Sequence, residues 1–128
     1  MNAAVAGKAY PEEPFTVDPR RVAAFRRVFS QVGGVPVTFV TAAEFTVIPE
    51  VVADPELGID FSRVLHGNQE YEFRRPLLEG ETLTIRSRIE SIRSLGAGSF
   101  LVLATELVGP GGEIVCTARS TLIERAAG

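Results

Sequence analysis

A single cysteine, Cys116, and a single histidine, His66, occur among the 128 residues. One cysteine permits no intrachain disulfide, and it excludes a zinc site built on paired cysteines. This usage fits a reducing compartment, and the expected location is the cytoplasm. No window approaches the roughly 18 apolar residues that a membrane-crossing helix needs. The N-terminal MNAAVAGKAYPEEPF has no basic region followed by a sustained apolar run, so it does not read as a signal peptide. There is no excess of positive charge. The 13 Lys and Arg against 16 Asp and Glu leave a net charge of −3. That balance gives no general attraction to nucleic acid or to an anionic membrane. No internal repeat and no low-complexity segment is present. GPGG at residues 109–112 falls between two strand-like runs, not between a strand and a helix, so it is a turn and not a phosphate loop. No metal and no cofactor is expected.

What remains is a chain with 45% apolar residues, enough for a real core. It is expected to form one domain over residues 1–128. Residues 1–14 read as an extended lead-in, because Pro11 and Pro14 disfavour a helix there. In VDPRRVAAFRRVFSQVGG, Asp18 is a candidate N-cap with Pro19 at the first helical position. Val22, Phe25, Phe29 and Val32 form a narrow apolar stripe, and Gly33-Gly34 stops the helix. In VTFVTAAEFTVIPEVVADPELG, Thr41 and Glu44 have the T-x-x-E spacing of a capping box. The helix after them carries Ala42, Ala43, Phe45, Val47, Ile48, Val51 and Val52, leaving almost no polar face. Such a helix must be covered on most sides. Pro49 should kink it or mark a boundary.

The second half reads as strands. Gln69, Tyr71 and Phe73 alternate with Glu70, Glu72 and Arg74, a half-buried strand ended by Pro76. In TLTIRSRIESIRSL, Leu83, Ile85 and Ile89 share a phase that Ile92 breaks, which predicts a bulge. SFLVLATELV is apolar enough to be buried on both faces. The last strand, EIVCTARSTLIER, has Ile114, Cys116, Ala118, Ser120 and Leu122 on its inward phase. Helices first and hairpin-linked strands later predict an α+β fold with an antiparallel sheet. A central helix of about 14 residues rises about 21 Å, the span of six or seven strand residues, so the sheet can curl around it.

At this point the chain resembles the hot-dog fold, and more narrowly the MaoC-like dehydratase superfamily. The resemblance is carried by FTVDPRRVAAF, RRPLLEGETLTIRSRIESI and GPGGEIVCTARSTLIER, and covers nearly the whole chain. RPLLEGETL is similar to the family's segment of Arg-Pro followed by Gly-acidic-x-Leu, with Glu81 where Asp is commoner. DPELGIDFSRVLHGNQEYEF is similar to the N-terminal-type half of these dehydratases. That half is found in the dehydratase region of type I fatty acid synthases and in the accessory A and C subunits of the mycolic-acid (3R)-hydroxyacyl-ACP dehydratase. The resemblance implies a divided role, in which one hot-dog unit supplies a catalytic Asp and His and the other shapes the acyl pocket. The catalytic motif is Asp-x-Asn-Pro-x-His. The matching stretch here, SQVGGVPVTFV at residues 30–40, has no Asp, Asn or His. Hydrating an enoyl thioester needs a base to activate water and an acid to protonate the α-carbon. The resemblance therefore implies an accessory subunit. It would bind an acyl thioester on acyl carrier protein or coenzyme A and act in a homo- or heterodimer with a motif-bearing partner.

The residue readings stand beside this. His66 is a candidate base, but Asp60 precedes it by six residues, not the family's five, and Glu70 and Glu72 follow it. The competing reading has His66 and Asn68 bonding backbone where the chain enters a strand. A pocket-lining role for His66, Gly67, Asn68 and Gln69 is preferred to catalysis. The central helix could line an acyl tunnel, with Thr46 or Pro49 opening space. A stand-alone hot-dog thioesterase would use Glu44 or Glu50, which the capping reading of Glu44 disfavours, and a non-enzymatic binding module is a further alternative. Arg74, Arg75, Arg86 and Arg88 could steer an acidic carrier protein, but a solvated face balanced by Glu70, Glu72 and Glu90 is preferred. Cys116 alternates with small inward residues and reads as a buried structural thiol.

Overall fold

The computed structural model describes residues 1–28 and 33–127. In chain order these form β1 (Ala9–Thr16), α1 (Pro19–Val28), α2 (Thr41–Ala53), β2 (Val64–Phe73), β3 (Thr82–Leu95), β4 (Gly98–Val108) and β5 (Ile114–Arg125). Short 3₁₀ turns occur at Ala3–Val5, Val37–Val40 and Phe61–Arg63. The strands make one antiparallel sheet in the order β1-β3-β4-β5-β2. Ala43, Val47 and Val51 of α2 share one core with Leu83, Ile85 and Ile89 of β3, Leu101 and Leu103 of β4, and Cys116 and Ala118 of β5. This is the expected α+β arrangement, a sheet wrapped around an apolar helix.

Three bulges set which side chains face that helix. In β1, Tyr10 and Phe15 are both buried although an odd spacing should put them on opposite faces. The register slips between Tyr10 and Glu13, adding one residue and restoring the inward phase. So the segment expected only to be extended carries a 3₁₀ turn and then an edge strand. An edge tolerates Pro11 and Pro14, which have no N–H to give to a neighbour. In β3 the expected bulge is present between Ile89 and Ser91. In β2 the register slips between His66 and Asn68. β2 begins at Val64, so His66 and Asn68 lie within the strand, not ahead of it as expected. One face of β4 is buried and the other is half-buried at Phe100, Val102 and Glu106. Cys116, Ala118, Ser120 and Leu122 of β5 are buried as read from the sequence, but Ile114 is only half-buried and Val115 is buried beside a register slip.

The helices depart from expectation in one important respect. α1 starts as predicted: Asp18 Oδ1 accepts the Arg20 N–H at 2.9 Å, and Pro19 is the first helical residue. Phe25 then meets Phe39 edge-on at 5.6 Å between ring centroids. Phe29 and Val32 lie outside the described residues; Gly33 and Gly34 beyond them take φ of 70° and 64°. The capping box at Thr41 and Glu44 is not formed. The 3₁₀ turn Val37–Val40 runs directly into α2, so Thr41 is already helical and its hydroxyl donates to the Thr38 carbonyl at 2.8 Å. Glu44 is thereby released from any capping role, and it is only 2% exposed. α2 continues through Pro49, so no boundary falls there. On its far flank Phe45 is 67% exposed.

RPLLEGETL closes the crossover from β2 to β3. Arg75 donates to Glu81 through both terminal nitrogens, at 2.7 and 3.0 Å, and the Leu78 N–H also donates to Glu81. Gly80 has φ of 83°, a left-handed conformation that glycine adopts without strain. Its N–H donates to the Val17 carbonyl, while Arg26 of α1 reaches Glu79 at 2.6 Å. The motif is thus a clasp that joins the β2–β3 crossover to the start of α1.

Candidate functional site

An inward-facing cavity of about 490 Å³ lies between α2 and the β2–β5 end of the sheet. Phe45, Ile48, Phe61, Val64 and Leu122 line its apolar side. Its polar end is made by Glu44, His66, Gln69, Tyr71 and Ser120. Geometry brings these together for simple reasons. Glu44 shares the sheet-facing stripe of α2 with Val47 and Val51, three and seven residues on. Gln69 pairs directly with Ser120 and Tyr71 with Ala118, so Gln69 and Tyr71 share the inward face with Ser120. His66 is three residues from Gln69 and would face outward in a regular strand. The slip at Gly67 turns it inward, opposite Leu122. A Cβ on Gly67 would stand 2.5 Å from the Ile123 Cδ1, the end of a side chain that can move aside.

Glu44 is the centre of the polar end. Gln69 Nε2 donates to its Oε2 at 3.0 Å, Tyr71 Oη to its Oε1 at 3.1 Å, and Ser120 Oγ lies 2.7 Å from Oε2. A buried carboxylate needs such donors, because loss of water is otherwise uncompensated. No cation is bonded to Glu44 among the described residues. Gln69 Oε1 meets His66 Nε2 at 3.1 Å and is also in contact with Ser120 Oγ. An amide oxygen only accepts, so the histidine nitrogen donates, which fixes a proton on Nε2. The opposite amide orientation would set Gln69 oxygen against the Glu44 carboxylate, so the network also fixes the amide. Burial, and the Glu44 carboxylate beside it, push the Tyr71 hydroxyl well above its ordinary range, so it remains a donor. The same two causes push the Cys116 thiol up to about 12.

Of the residues expected to line a pocket, His66 and Gln69 line this one. Gly67 shapes the bulge, and the exposed Asn68 donates to Glu70 at 3.3 Å. Glu50, the other helix carboxylate considered, does not line the cavity; a hydrogen bond with Glu13 of β1 raises its proton affinity. Neither Thr46 nor Pro49 lines it, and the Thr46 hydroxyl returns to the Ala43 carbonyl at 2.7 Å. Tyr71 and Ser120 were read only as inward-facing strand residues. Glu44 was assigned to a cap, although its spacing to Val47 and Val51 places it on the buried stripe. A second groove of about 430 Å³ runs between α1 and α2, and Thr41 and Phe45 line both spaces. The arginines form a balanced face: Arg86 pairs with Glu106, Arg88 with Glu90, and Arg119 with Glu72 and Glu90. Among the described residues, no group of His, Cys, Asp and Glu could hold a metal ion, and no helix is long and apolar enough to cross a membrane.

Comparison with known proteins gives a consistent picture. Residues 6–118 match the family described as FAS1-like, dehydratase domain region. A UPF0336 protein of Streptomyces avermitilis is 45% identical over 92 residues, which is 72% of this chain and 61% of that protein. The chain spans about three-fifths of the length of the curated relatives it matches. The C-terminally truncated HadBC (3R-hydroxyacyl-ACP dehydratase) complex of Mycobacterium tuberculosis superposes with a TM-score of 0.79 at 22% identity. That match covers 93% of this chain and 96% of that one. A MaoC-like dehydratase superposes with a TM-score of 0.83 at 20% identity, over 97% of this chain and 43% of the other. At such identities these two structures establish the shared hot-dog fold.

Proposed function

Because the chain belongs to the FAS1-like dehydratase-domain-region family, we propose that it is the substrate-binding, non-catalytic unit of a (3R)-hydroxyacyl-thioester dehydratase. It acts with a second hot-dog unit that carries Asp-x-Asn-Pro-x-His. The reaction is reversible removal of water from a 3-hydroxyacyl thioester on acyl carrier protein or coenzyme A. One observation carries this reading: a built cavity occurs in a chain that lacks the acid–base pair. Residues 30–40 contain no Asp, Asn or His, and the only histidine spends its Nε2 proton on Gln69. Dehydration needs one group to take a proton and another to return one, and no such pair is free here. Phe45, Ile48, Phe61, Val64 and Leu122 offer an apolar wall to the acyl chain.

A partner is supported by three features. Among the described residues β2 is the last strand of the sheet, an edge that a second sheet can continue. Phe45, Phe61 and Leu65, on or beside the cavity wall, are exposed in the single chain. The similar HadBC structure is itself a complex. One buried, unpaired cysteine supports a cytoplasmic setting. The test is turnover of crotonyl thioester by the chain alone, by a co-expressed motif-bearing chain, and by both together. Activity is expected only in the complex, with His66→Ala changing kcat less than about threefold. Enzymatic turnover by the isolated chain, abolished by His66→Ala, overturns the proposal.

Glu44 favours a second reading, a stand-alone acyl-thioesterase in which the helix carboxylate activates water. Its three protein donors weigh against this, because they occupy most of the lone pairs that a base would offer to water. Hydrolysis of acyl thioesters by the purified chain, lost in Glu44→Gln, distinguishes this reading. A pure binding module would instead bind thioesters and remain silent with any partner.

A further inference from the structure

We infer that the cavity reads a neutral hydrogen-bond donor on its ligand, a hydroxyl or an amide N–H of the acyl thioester, through the Glu44 carboxylate. This rests on the acyl-thioester reading above and adds what an apolar wall alone cannot give. A hydrocarbon tail needs no polar end to its pocket, and pressing methylenes against a carboxylate strips its water without return. Yet α2 spends a core-facing position on Glu44, at 2% exposure. Three β-sheet side chains are turned to hold it.

Counting protons sharpens the inference. Gln69 gives Glu44 one and Tyr71 gives one. Ser120 has a single proton for two neighbouring oxygens, Glu44 Oε2 and Gln69 Oε1. Among the described residues Oε1 accepts from Tyr71 alone, although a carboxylate oxygen takes two donors. The cluster is therefore short of protons at a carboxylate that lines the cavity. A ligand hydroxyl or N–H supplies one. An anion does not: a free fatty carboxylate would meet Glu44 with no bonded cation beside it among the described residues. The ligand is thus a neutral thioester with a donor near its head. That donor is the hydroxyl at the third carbon of the acyl group or an amide of the pantetheine arm.

The test is calorimetric titration of the purified chain with four probes, the S-methyl and pantetheine thioesters of decanoic and 3-hydroxydecanoic acids, and with decanoate. If the hydroxyl is read, it raises affinity about tenfold to a hundredfold in the S-methyl pair. If the amide is read, pantetheine gives that gain with either acid. Glu44→Gln reduces the gain, read as the ratio of the two S-methyl thioester affinities in the same variant, to less than about threefold. Tyr71→Phe frees an acceptor site on Oε1 and keeps or enlarges the gain, which a purely structural network would lose. Plain and donor-bearing probes binding equally, or decanoate binding as tightly as the thioesters, overturns the inference and leaves the acyl-thioester reading standing. Folded protein that binds no thioester overturns that reading itself. Should Glu44→Gln fail to fold, loss of the gain in folded Tyr71→Phe overturns the inference alone.

Discussion

Replacing Glu81 by alanine tests whether RPLLEGETL is a structural clasp or part of the chemistry. Glu81 accepts two bonds from Arg75 and one from the Leu78 N–H, and its side chain is 15% exposed. Arg75 is about one-third exposed, so the pair lies between a surface ion pair, worth at most about 1 kcal/mol, and a buried one, whose rupture costs about 3–5 kcal/mol. We assign about 1 kcal/mol to the bidentate pair and about 1 kcal/mol to the backbone bond. The freed groups can rehydrate, which limits the loss to about 2 kcal/mol at pH 7. At about 2 cal/mol/K of unfolding entropy per residue, this lowers Tm by about 7 °C. A double-mutant cycle with Arg75→Met should return a coupling of about 1 kcal/mol. The Arg75 guanidinium holds the Glu81 carboxyl below its ordinary range. A group depressed in the folded state stabilises above its unfolded pKa, here about 4.3, and that gain is lost as pH falls through the folded value. Urea titrations of both proteins should therefore differ at pH 7, and the gap should narrow as pH falls below about 4 through the folded value. Thioester affinity well below Tm should not change, because the clasp does not line the cavity. A loss below about 0.5 kcal/mol, a gap that does not narrow with falling pH, or a collapse of binding in folded protein refutes the reasoning.

Three further outcomes follow from the same geometry. Gly98→Ala sets a Cβ 2.3 Å from the Glu124 carbonyl oxygen, a backbone atom of the paired strand, and should cost at least about 2 kcal/mol in chemical denaturation; a near-neutral result would mean that β4 and β5 are not this close. Cys116, buried and pushed up to about 12, should resist a thiol reagent at pH 8 until the protein is unfolded, so rapid labelling of native protein would contradict its placement. Asp54, held below its ordinary range first by the Lys8 ammonium and then by the Tyr10 hydroxyl, should stabilise the fold above about pH 4 and cease to do so as pH falls through its lower folded value; Asp54→Asn should remove that part of the acid dependence.

Much of the fold was legible because most positions obey local rules. Asp18-Pro19 opens α1, and the break of phase at Ile92 marks the β3 bulge. The alternation through Cys116, Ala118, Ser120 and Leu122 gives the inward face of β5. β1 was missed as a strand because Pro11 and Pro14 carry no ladder donors, and only its place at an edge makes them harmless. The site was harder. T-x-x-E describes a capping box only if Thr41 is the cap. Residues 37–40 are already turning, so it is not. Likewise a two-residue period carried back from Phe73 through Gln69 sends His66 outward, and one glycine reverses that.

The failures of local reading are not scattered. A charged residue on the core stripe of α2, a glycine inside β2 and a histidine out of phase all converge on one cavity. Each carries a cost. Glu44 must be desolvated, Gly67 weakens a strand interior, and the bulge removes a ladder pairing. Core packing alone would be better met by leucine at position 44 and by a regular strand. Cheaper alternatives exist at each position separately, yet the slip at Gly67 turns His66 toward the cavity, and a hydrogen-bond network then joins His66 through Gln69 to Glu44. Costs that are independent in the sequence but joined in space are what a binding site imposes on a fold. The clasp at Glu81 breaks no such rule, since its acid is paired and its glycine sits where a left-handed turn requires one. By that contrast the resemblance carried by RPLLEGETL concerns how the domain is held together. The residues of the proposed binding site lie at the other end of β2.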